Sequence, residues 1–196
     1  MPDPDGELLR RAYSGDEDAF IDLYERHRRP LFRFVYRMLG STTVAEDLTH
    51  ECFLVLLTQR DRFDPERGAL GPFLWGVARN LALKQLRRRG LEIADVEDEG
   101  DPDALGVPTP LRRLLENERS AAVQDAVASL PPLQREVLIL FEYEGQSLAE
   151  IAALVAADTG TVKARLHRAR ERLRRALAPW LMAAAPGRPR TLEKMA

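Results

Sequence analysis

An acidic stretch between residues 91 and 110 is the feature that most constrains the fold of this chain. It carries seven acidic side chains and no basic one, and it shows little apolar periodicity. A segment of this kind cannot bury enough apolar surface to offset the entropy lost on ordering. We expect a flexible linker here, which divides the 196 residues into two halves that each bury a core of their own.

Apolar residues in the first half recur at helical spacing. Over residues 20–38 they fall mostly at steps of three and four, which predicts an amphipathic helix that ends near Gly40. Thr43 and Glu46 have the spacing of a capping box, so a second helix is expected to start there. Two prolines and two glycines over residues 62–72 predict a loop, and a third helix is expected to follow it.

The second half is also expected to be helical. Residues 111–129 and 133–143 have helical periodicity and are separated by a pair of prolines. Ser147 and Glu150 have capping-box spacing, which predicts a short helix over residues 148–155. The whole chain is therefore expected to be all-α.

The final helix of the second half has one apolar side and one basic side. Asp158 or Thr159 is expected to cap it. Four apolar residues recur at steps of four, three and four and predict one packed stripe: Val162, Leu166, Ala169 and Leu173. Between residues 159 and 175, seven basic side chains accompany a single acid. We expect the outward-facing positions to include Thr161, Lys163, Arg165, Arg168, Arg172 and Arg175.

A short helix, a three-residue turn and a longer basic helix are typical of a helix-turn-helix, whose second helix enters the major groove of DNA. The positions in its first turns, Thr161, Lys163 and Arg165, are the candidates for contacts to base edges. The positions further along, Arg168, Arg172 and Arg175, are the candidates for contacts to phosphates. The alternative interpretation is a solvated basic face without a partner, and the capped short helix in front of it favours DNA binding.

Several ordered motifs resemble those of one protein family. Residues 130–138 (LPPLQREVL), 145–152 (GQSLAEIA) and 160–170 (GTVKARLHRAR) resemble region 4 of sigma factors of the extracytoplasmic-function group. Residues 45–54 (AEDLTHECFL) resemble the polymerase-binding segment of region 2, and residues 77–83 (VARNLAL) resemble its promoter-melting helix. The resemblance covers roughly residues 15 to 178.

The resemblance implies a fold and an activity. It implies two small helical domains: a region 2 domain over residues 1–90 and a region 4 domain over residues 111–180, separated by the acidic linker over 91–110. The glycine and prolines beyond the last helix predict a disordered tail over 181–196. The resemblance further implies a subunit that joins core RNA polymerase, brings it to promoter DNA and helps to open the duplex.

The resemblance also implies roles for individual residues. The polymerase clamp helices are expected to meet Asp47, His50 and Glu51. The recognition helix is expected to lie on the minus 35 element. The minus 10 element is expected to contact Phe63, Trp75, Arg79, Asn80, Lys84, Arg87 and Arg88, because opened DNA needs surfaces for unstacked bases and cations for the backbone. For Trp75 and for Phe73, a place in the core is the favoured interpretation.

The sequence departs from the usual pattern of the group at several positions. Phe73 stands where tryptophan is common, with Trp75 two positions later, and Lys84 stands where an acid is frequent. In the turn of the helix-turn-helix, Ala156 and Ala157 replace the usual glycine and larger apolar residue. The departure in the turn leaves the assignment of base contacts open there.

Other functions account for less of the sequence. A helix-turn-helix regulator that does not dock on polymerase would leave the region 2 motifs unexplained, and a helical protein-interaction module would leave the basic helix unexplained. An enzyme is not expected, because we find no metal-ligand spacing, phosphate-binding glycine loop or paired nucleophile and base. No cofactor is expected either.

Composition and charge set the remaining expectations. A single cysteine and three scattered histidines favour a reducing cytoplasm and no metal site. The acidic start and the absence of a long apolar run predict no export and no membrane insertion. The net charge is only −2, so the basic groups have to be concentrated to serve a nucleic acid. We also expect an inhibitory partner, an anti-sigma factor, that holds the two domains together.

Overall fold

The computed structural model describes residues 4–64, 68–91, 93 and 118–183. Within these ranges every regular element is a helix, as the sequence predicts. The helices are α1 (Pro4–Tyr13), α2 (Glu17–Leu39), α3 (Thr42–Thr58), α4 (Leu70–Arg88), α5 (Glu118–Ala128), α6 (Pro132–Leu138), α7 (Leu148–Val155) and α8 (Thr159–Ala183). A 3₁₀ turn (Arg60–Arg62) follows α3, and a π-helical turn (Ile139–Tyr143) continues α6.

Some predictions fall on residues that are not described. The predicted linker over 91–110 lies outside the described residues except for Leu91 and Ile93, and so do residues 111–117 and 184–196. Residues 181–183, predicted as the start of the disordered tail, belong to α8 instead. None of the described helices has the length and apolar composition needed to cross a membrane.

Helices α1 to α4 pack on one another and form the N-terminal unit. The N-cap of α2 is Asp16, whose side chain accepts a hydrogen bond from the backbone N–H of Ala19. The helix runs through Pro30 and ends at Gly40, which adopts a left-handed φ of 69°. Glycine tolerates this conformation because it has no Cβ, so the predicted end of the helix is confirmed.

The predicted start of α3 is wrong by two residues. Ser41, not Thr43, is the N-cap, and its side chain accepts a hydrogen bond from the backbone N–H of Val44 at 3.4 Å. Ser41 directly follows the left-handed Gly40 and has extended backbone, so its hydroxyl reaches the free amides of the first turn. Thr43 already lies inside the helix.

Helices α5 to α8 form the C-terminal unit, in which α8 packs on α5, α6 and α7. The predicted capping box of α7 is confirmed: the N–H of Ser147 donates to Glu150 Oε2 at 2.8 Å, and the N–H of Glu150 donates to Ser147 Oγ at 3.3 Å. The predicted stripe of α8 is confirmed as well, because Val162, Leu166 and Ala169 are buried and Leu173 packs against the core. The unit therefore contains the expected helix-turn-helix.

The two units pack against each other. Helix α2 contacts α5, α6 and the π-helical turn, and α4 contacts α6 and α7. Buried apolar residues of both units form one continuous cluster. The guanidinium of Arg135 in α6 donates from Nη1 to the carbonyl of Met38 in α2 at 2.6 Å. The sequence predicted two halves that each bury a core of their own, whereas in the structure the two units share one continuous core and are closed on each other.

The turn of the helix-turn-helix contains a strained residue. Ala156, where the sigma factor pattern usually has glycine, caps α7 with a left-handed φ of 52°. This conformation brings Cβ close to the following carbonyl and disfavours every residue that has a Cβ.

We expect Ala156→Gly to raise the free energy of unfolding by about 1 kcal/mol, because glycine adopts the left-handed conformation without the steric penalty. The measurement is equilibrium denaturation in urea. The matched control is Ala153→Gly, at an exposed helical position of α7, where the same change should destabilise by about 1 kcal/mol. An equal decrease in the free energy of unfolding from both substitutions would contradict the claim that Ala156 is strained.

Candidate nucleic-acid interface

Some side chains on the basic side of α8 are exposed to solvent, and others are partly buried or bonded to neighbouring residues. Lys163 and Arg175 are exposed, whereas Thr161, Arg168 and Arg172 are half-buried. The hydroxyl of Thr161 donates to Asp158 Oδ2 at 2.7 Å. Five of the six predicted positions therefore reach the surface at least in part.

The expectation that Arg165 faces outward is wrong for this structure. The residue is only 7% exposed, and its Nη1 lies 4.0 Å from Oε1 of Glu136 in α6. Position 165 follows Val162 by three residues and precedes Ala169 by four, so it lies at the edge of the apolar stripe rather than opposite it. A buried carboxylate within reach draws the guanidinium inward.

Glu136 also binds an arginine of the other unit. The Nε of Arg79 in α4 donates to Glu136 Oε2 at 2.8 Å, and its Nη2 donates to Glu136 Oε1 at 3.0 Å. The side chain of Glu136 is fully buried and that of Arg79 is 15% exposed. Glu136 was not singled out in the sequence, although an acid one residue before the apolar run of residues 137–141 was a signal that it is buried and needs a cationic partner.

The remaining candidates for contacts to the minus 10 element lie on α4 and on the segment before it. Asn80, Lys84, Arg87 and Arg88 are exposed. The aromatic candidates are more enclosed. Phe63 is buried, with its ring centroid 5.1 Å from that of Phe73, and Trp75 lies edge-on to Phe34 at 5.4 Å. The two rings of α4, Phe73 and Trp75, thus pack against the core, which agrees with the favoured interpretation.

A cleft of about 1190 Å³ separates α4 from α7. Phe63, Trp75 and Asn80 line it on the side of the N-terminal unit, and Glu150 and Leu154 line it on the side of the C-terminal unit. The surface that is expected to hold unstacked bases therefore faces the helix-turn-helix of the same chain.

The three candidates for polymerase contacts share one face of α3. Asp47, His50 and Glu51 are all exposed, and their spacing of three and four residues places them along one stripe. The imidazole of His50 stacks on the ring of Tyr24 with a centroid distance of 6.0 Å. Leu54 continues the stripe and is 57% exposed, an exposed apolar side chain that the sequence analysis did not single out. Its spacing from His50 and Glu51 was the available signal.

The comparisons with known proteins identify the family. The model of sigma-70 region 2 matches residues 23–92, and that of sigma-70 region 4 matches residues 120–173. The chain is 32% identical over 178 residues to the ECF RNA polymerase sigma factor SigW of Bacillus subtilis (strain 168), across 86% of this chain and 94% of that protein. The chain belongs to the ECF sigma factors of the sigma-70 family.

Further relatives of this chain are also sigma factors or their structural neighbours. The RNA polymerase sigma factor CarQ of Myxococcus xanthus is 34% identical over 175 residues, across 86% of this chain and 95% of that protein. Among solved structures, the sigma factor RpoE in complex with the anti-sigma factor NepR from Bartonella quintana has a TM-score of 0.61 and 26% identity, and covers 81% of this chain and 96% of its own. CnrH in complex with the cytosolic domain of CnrY has a TM-score of 0.66 and 25% identity. The match covers 93% of this chain and 100% of the CnrH chain.

Membership in the family confirms the resemblance drawn from the sequence. The match to region 2 falls on the N-terminal unit and the match to region 4 falls on the C-terminal unit. As an ECF sigma factor, the chain binds RNA polymerase and directs it to promoters. The bidentate pair of Arg79 and Glu136 therefore joins the part that matches region 2 to the part that matches region 4.

The N-cap of α8, the helix predicted to enter the major groove, is a charged side chain. Asp158 caps α8: the backbone N–H of Thr161 donates to its Oδ1 at 2.8 Å. The hydrogen bond from the Thr161 hydroxyl, and next that from its backbone N–H, lower the pKa of Asp158 below its ordinary value of 3.8. A carboxylate with a lowered pKa stabilises the folded state above its unfolded pKa, and this stabilisation is lost as the pH falls through the folded pKa.

We expect Asp158→Ala to lower the free energy of unfolding at neutral pH, because it removes the cap of α8. The difference from wild type should shrink as the pH falls below 3.8. The measurement is urea denaturation of both proteins across the acid range. Asp158→Asn, which keeps a capping oxygen without the charge, is the control and should lose less at neutral pH. A difference that is independent of pH would contradict this assignment.

Proposed function

We propose that this ECF sigma factor docks on core RNA polymerase through the exposed face of α3 and contacts the promoter at two points. The upstream point is the minus 35 element, contacted by α8, and the downstream point is the minus 10 element, contacted by α4 and the segment before it. The observation that carries the proposal is the presence of a separate exposed basic surface in each unit, one in the part that matches region 2 and one in the part that matches region 4.

The upstream contact follows from the helix-turn-helix. Helices α7 and α8 are joined by three residues, the arrangement that places the second helix in the major groove. Lys163 is exposed near the start of α8, so it can reach a base edge, together with Thr161 and, once it is released from Glu136, Arg165. Further along the helix, the candidates for phosphates are Arg168, Arg172 and Arg175.

The downstream contact follows from the cleft beside α4. Asn80 is exposed at the cleft and has both a donor and an acceptor for an unstacked base. The rings of Phe63 and Trp75 line the same cleft and can offer an edge or a face to a base. The backbone of the opened strand would meet exposed cations on α4, namely Lys84, Arg87 and Arg88, and also Arg79 once it is released from Glu136.

The contact with polymerase uses charged and apolar groups together. Asp47, His50 and Glu51 offer donors and acceptors along one face of α3, and Leu54 adds an apolar contact beside them. An apolar side chain with a polar rim is the usual composition of the part of an interface that carries affinity.

Partners and location follow from the family and the solved relatives. Two of the neighbouring structures are a sigma factor bound to an anti-sigma factor and CnrH bound to the cytosolic domain of CnrY. We propose an anti-sigma factor as a partner of this chain and the cytoplasm, with core polymerase, as its place of action. The chemistry of RNA synthesis then belongs to the polymerase. The predicted domain bounds of 1–90 and 111–180 stay proposals.

The upstream assignment is tested with Lys163→Ala in the holoenzyme. We expect binding to the native promoter to weaken by about 1–3 kcal/mol and discrimination among minus 35 variants to relax, because a base contact is lost. The measurement is holoenzyme binding to a set of promoter fragments at one salt concentration. The matched control is Arg170→Ala, which removes a positive charge from the same helix at a residue paired with Glu142. Equal effects of the two substitutions on discrimination would contradict the assignment.

The polymerase face is tested with Leu54→Ala. We expect affinity for core polymerase to fall about tenfold, because truncation of a central apolar contact costs on the order of 1–2 kcal/mol. The control is Ile21→Ala on α2, since Ile21 is 55% exposed and lies outside the stripe of α3. Fluorescence titration of labelled protein with core polymerase measures both. Retention of full affinity by Leu54→Ala would remove α3 from the interface.

A further inference from the structure

Helix α1 contacts both ends of the segment that joins α3 to α4. This segment includes the 3₁₀ turn and Phe63, and the proposed function places it, together with α4, on the minus 10 element. Leu8 and Leu9 of α1 are buried, and the helix packs chiefly on α2. Helix α1 lies before residues 23–92, the part of the chain that matches region 2, so the family match assigns it no role.

The first contact of α1 is at the end of α3. The hydroxyl of Tyr13 donates to the carbonyl of Leu56 at 2.9 Å. Leu56 lies in the last turn of α3, where carbonyls have no N–H partner within the helix, and the C-cap Gln59 has a φ of −115° rather than the left-handed conformation. Burial raises the pKa of Tyr13 above its ordinary value of 10.0, so the hydroxyl keeps its proton at neutral pH. Tyr13 therefore supplies a hydrogen bond that the end of α3 lacks.

Arg60 extends this contact into the 3₁₀ turn. Its Nη1 donates to the backbone carbonyl of Tyr13 at 3.3 Å, and its Cζ lies over the Tyr13 ring, 4.5 Å from the centroid. Arg60 is the first residue of the turn, and its carbonyl accepts a hydrogen bond from the N–H of Phe63 at 3.4 Å. The position of Phe63, which lines the cleft beside α4, is thereby linked to the last residue of α1.

The second contact of α1 reaches the start of α4 through α2. The carboxylate of Asp5 in α1 accepts a hydrogen bond from Nε2 of His27 in α2 at 2.7 Å and also pairs with Arg26. The side chains of Asp5 and His27 are only 13% and 15% exposed. The imidazole in turn meets α4, because a Cβ built on Gly71 would lie 4.0 Å from Cε1 of His27. Asp5 thus fixes the ring against which the first turn of α4 rests.

We infer that α1 is a brace that positions the surface for the minus 10 element. On one side, Tyr13 holds the 3₁₀ turn that leads to Phe63. On the other side, Asp5 and His27 hold the start of α4, the helix that carries Asn80. This inference rests on the proposed function, because it takes Phe63 and Asn80 as DNA-contacting residues. Tyr13, Asp5 and His27 act through them and are positioning residues.

The brace matters because base recognition has narrow geometric limits. A hydrogen bond weakens steeply when its angle departs from linearity, and a binding site has to hold its groups within about 0.5 Å of the productive geometry. An aromatic ring and an amide on different elements meet that limit only if the elements are fixed relative to each other. The polymerase face of α3 and the basic side of α8 do not depend on this spacing, so loss of the brace should affect the minus 10 contact selectively.

Tyr13→Phe removes one hydroxyl and leaves the ring beside Arg60. We expect the holoenzyme to discriminate among minus 10 variants at least about threefold less well, because a hydrogen bond that positions Phe63 is lost. His27→Ala, which removes the ring beside Gly71, should have the same effect from the other side. Affinity for core polymerase and discrimination among minus 35 variants should stay at the wild-type level. Open-complex formation on a set of fluorescent promoter fragments at one salt concentration measures discrimination at both elements.

The matched control is Ser14→Ala. It removes a neighbouring hydroxyl whose hydrogen bond, to the carbonyl of Arg10 at 3.0 Å, stays within α1 and the turn after it. We expect wild-type discrimination from this variant, and urea denaturation checks that each variant is folded under the assay conditions. Wild-type discrimination in both Tyr13→Phe and His27→Ala would overturn the inference. Equal losses at the minus 10 and minus 35 elements would also overturn it, because they indicate a general loss of structure.

Hydrogen–deuterium exchange of the full free chain tests the brace without DNA. The readout is the amide of Phe63, which is bonded to the carbonyl of Arg60 in the 3₁₀ turn. We expect this amide to exchange at least about threefold faster in Tyr13→Phe and at the wild-type rate in Ser14→Ala. An unchanged rate in Tyr13→Phe would overturn the brace. A wild-type holoenzyme that does not discriminate among minus 10 variants would instead overturn the proposed function.

Discussion

The placement of one buried carboxylate governs this structure. The side chain of Glu136 in α6 is fully removed from water, so the free energy of its charge depends on cations beside it. Arg79 supplies two hydrogen bonds from one unit, and Arg165 supplies a nearby positive charge from the other. The same interaction therefore stabilises the carboxylate, joins the units and occupies two of the groups on which DNA binding is proposed to depend.

The caps of the helices determine where the functional faces lie. Gly40 and Ser41 end α2 and start α3 without an intervening loop, and this fixes the face of α3 that carries the exposed stripe. In the C-terminal unit, the capping box at Ser147 and the cap at Asp158 fix the lengths of α7 and of the turn. The basic side of α8 follows from that geometry, since its apolar stripe has to face the other helices.

Much of the fold could be predicted from the sequence because it is local. Apolar periodicity, proline and capping residues predicted the end of α2, the bounds of α7 and the buried stripe of α8. The cap at Ser41 was missed because residues 41–43 are three consecutive hydroxyl residues and the spacing of Thr43 to Glu46 fits a capping box. A choice between them depends on the backbone of Gly40, which spacing alone does not reveal.

The closed arrangement could not be predicted, because its contacts are polar and distant in sequence. Arg79 and Glu136 are separated by 57 residues. From its own helix alone, Arg79 is interpreted as a surface cation and Glu136 as a surface acid, so neither indicates the other as its partner. Periodicity identified the outward face of α8 but not the buried acid that draws Arg165 inward. The family membership is confirmed by the comparisons, whereas the roles of the individual contact residues stay predictions.

The most direct test of the central claim is the distance between the two units in solution. Spin labels are attached to Ile21→Cys in α2 and Arg174→Cys in α8, two exposed positions outside the proposed contacts. Pulsed electron paramagnetic resonance measures the distance between the two labels. The account predicts one narrow, short distance in the free chain and a longer one in the holoenzyme bound to promoter DNA. A broad, long distribution in the free chain, or the same short distance in both states, would contradict it.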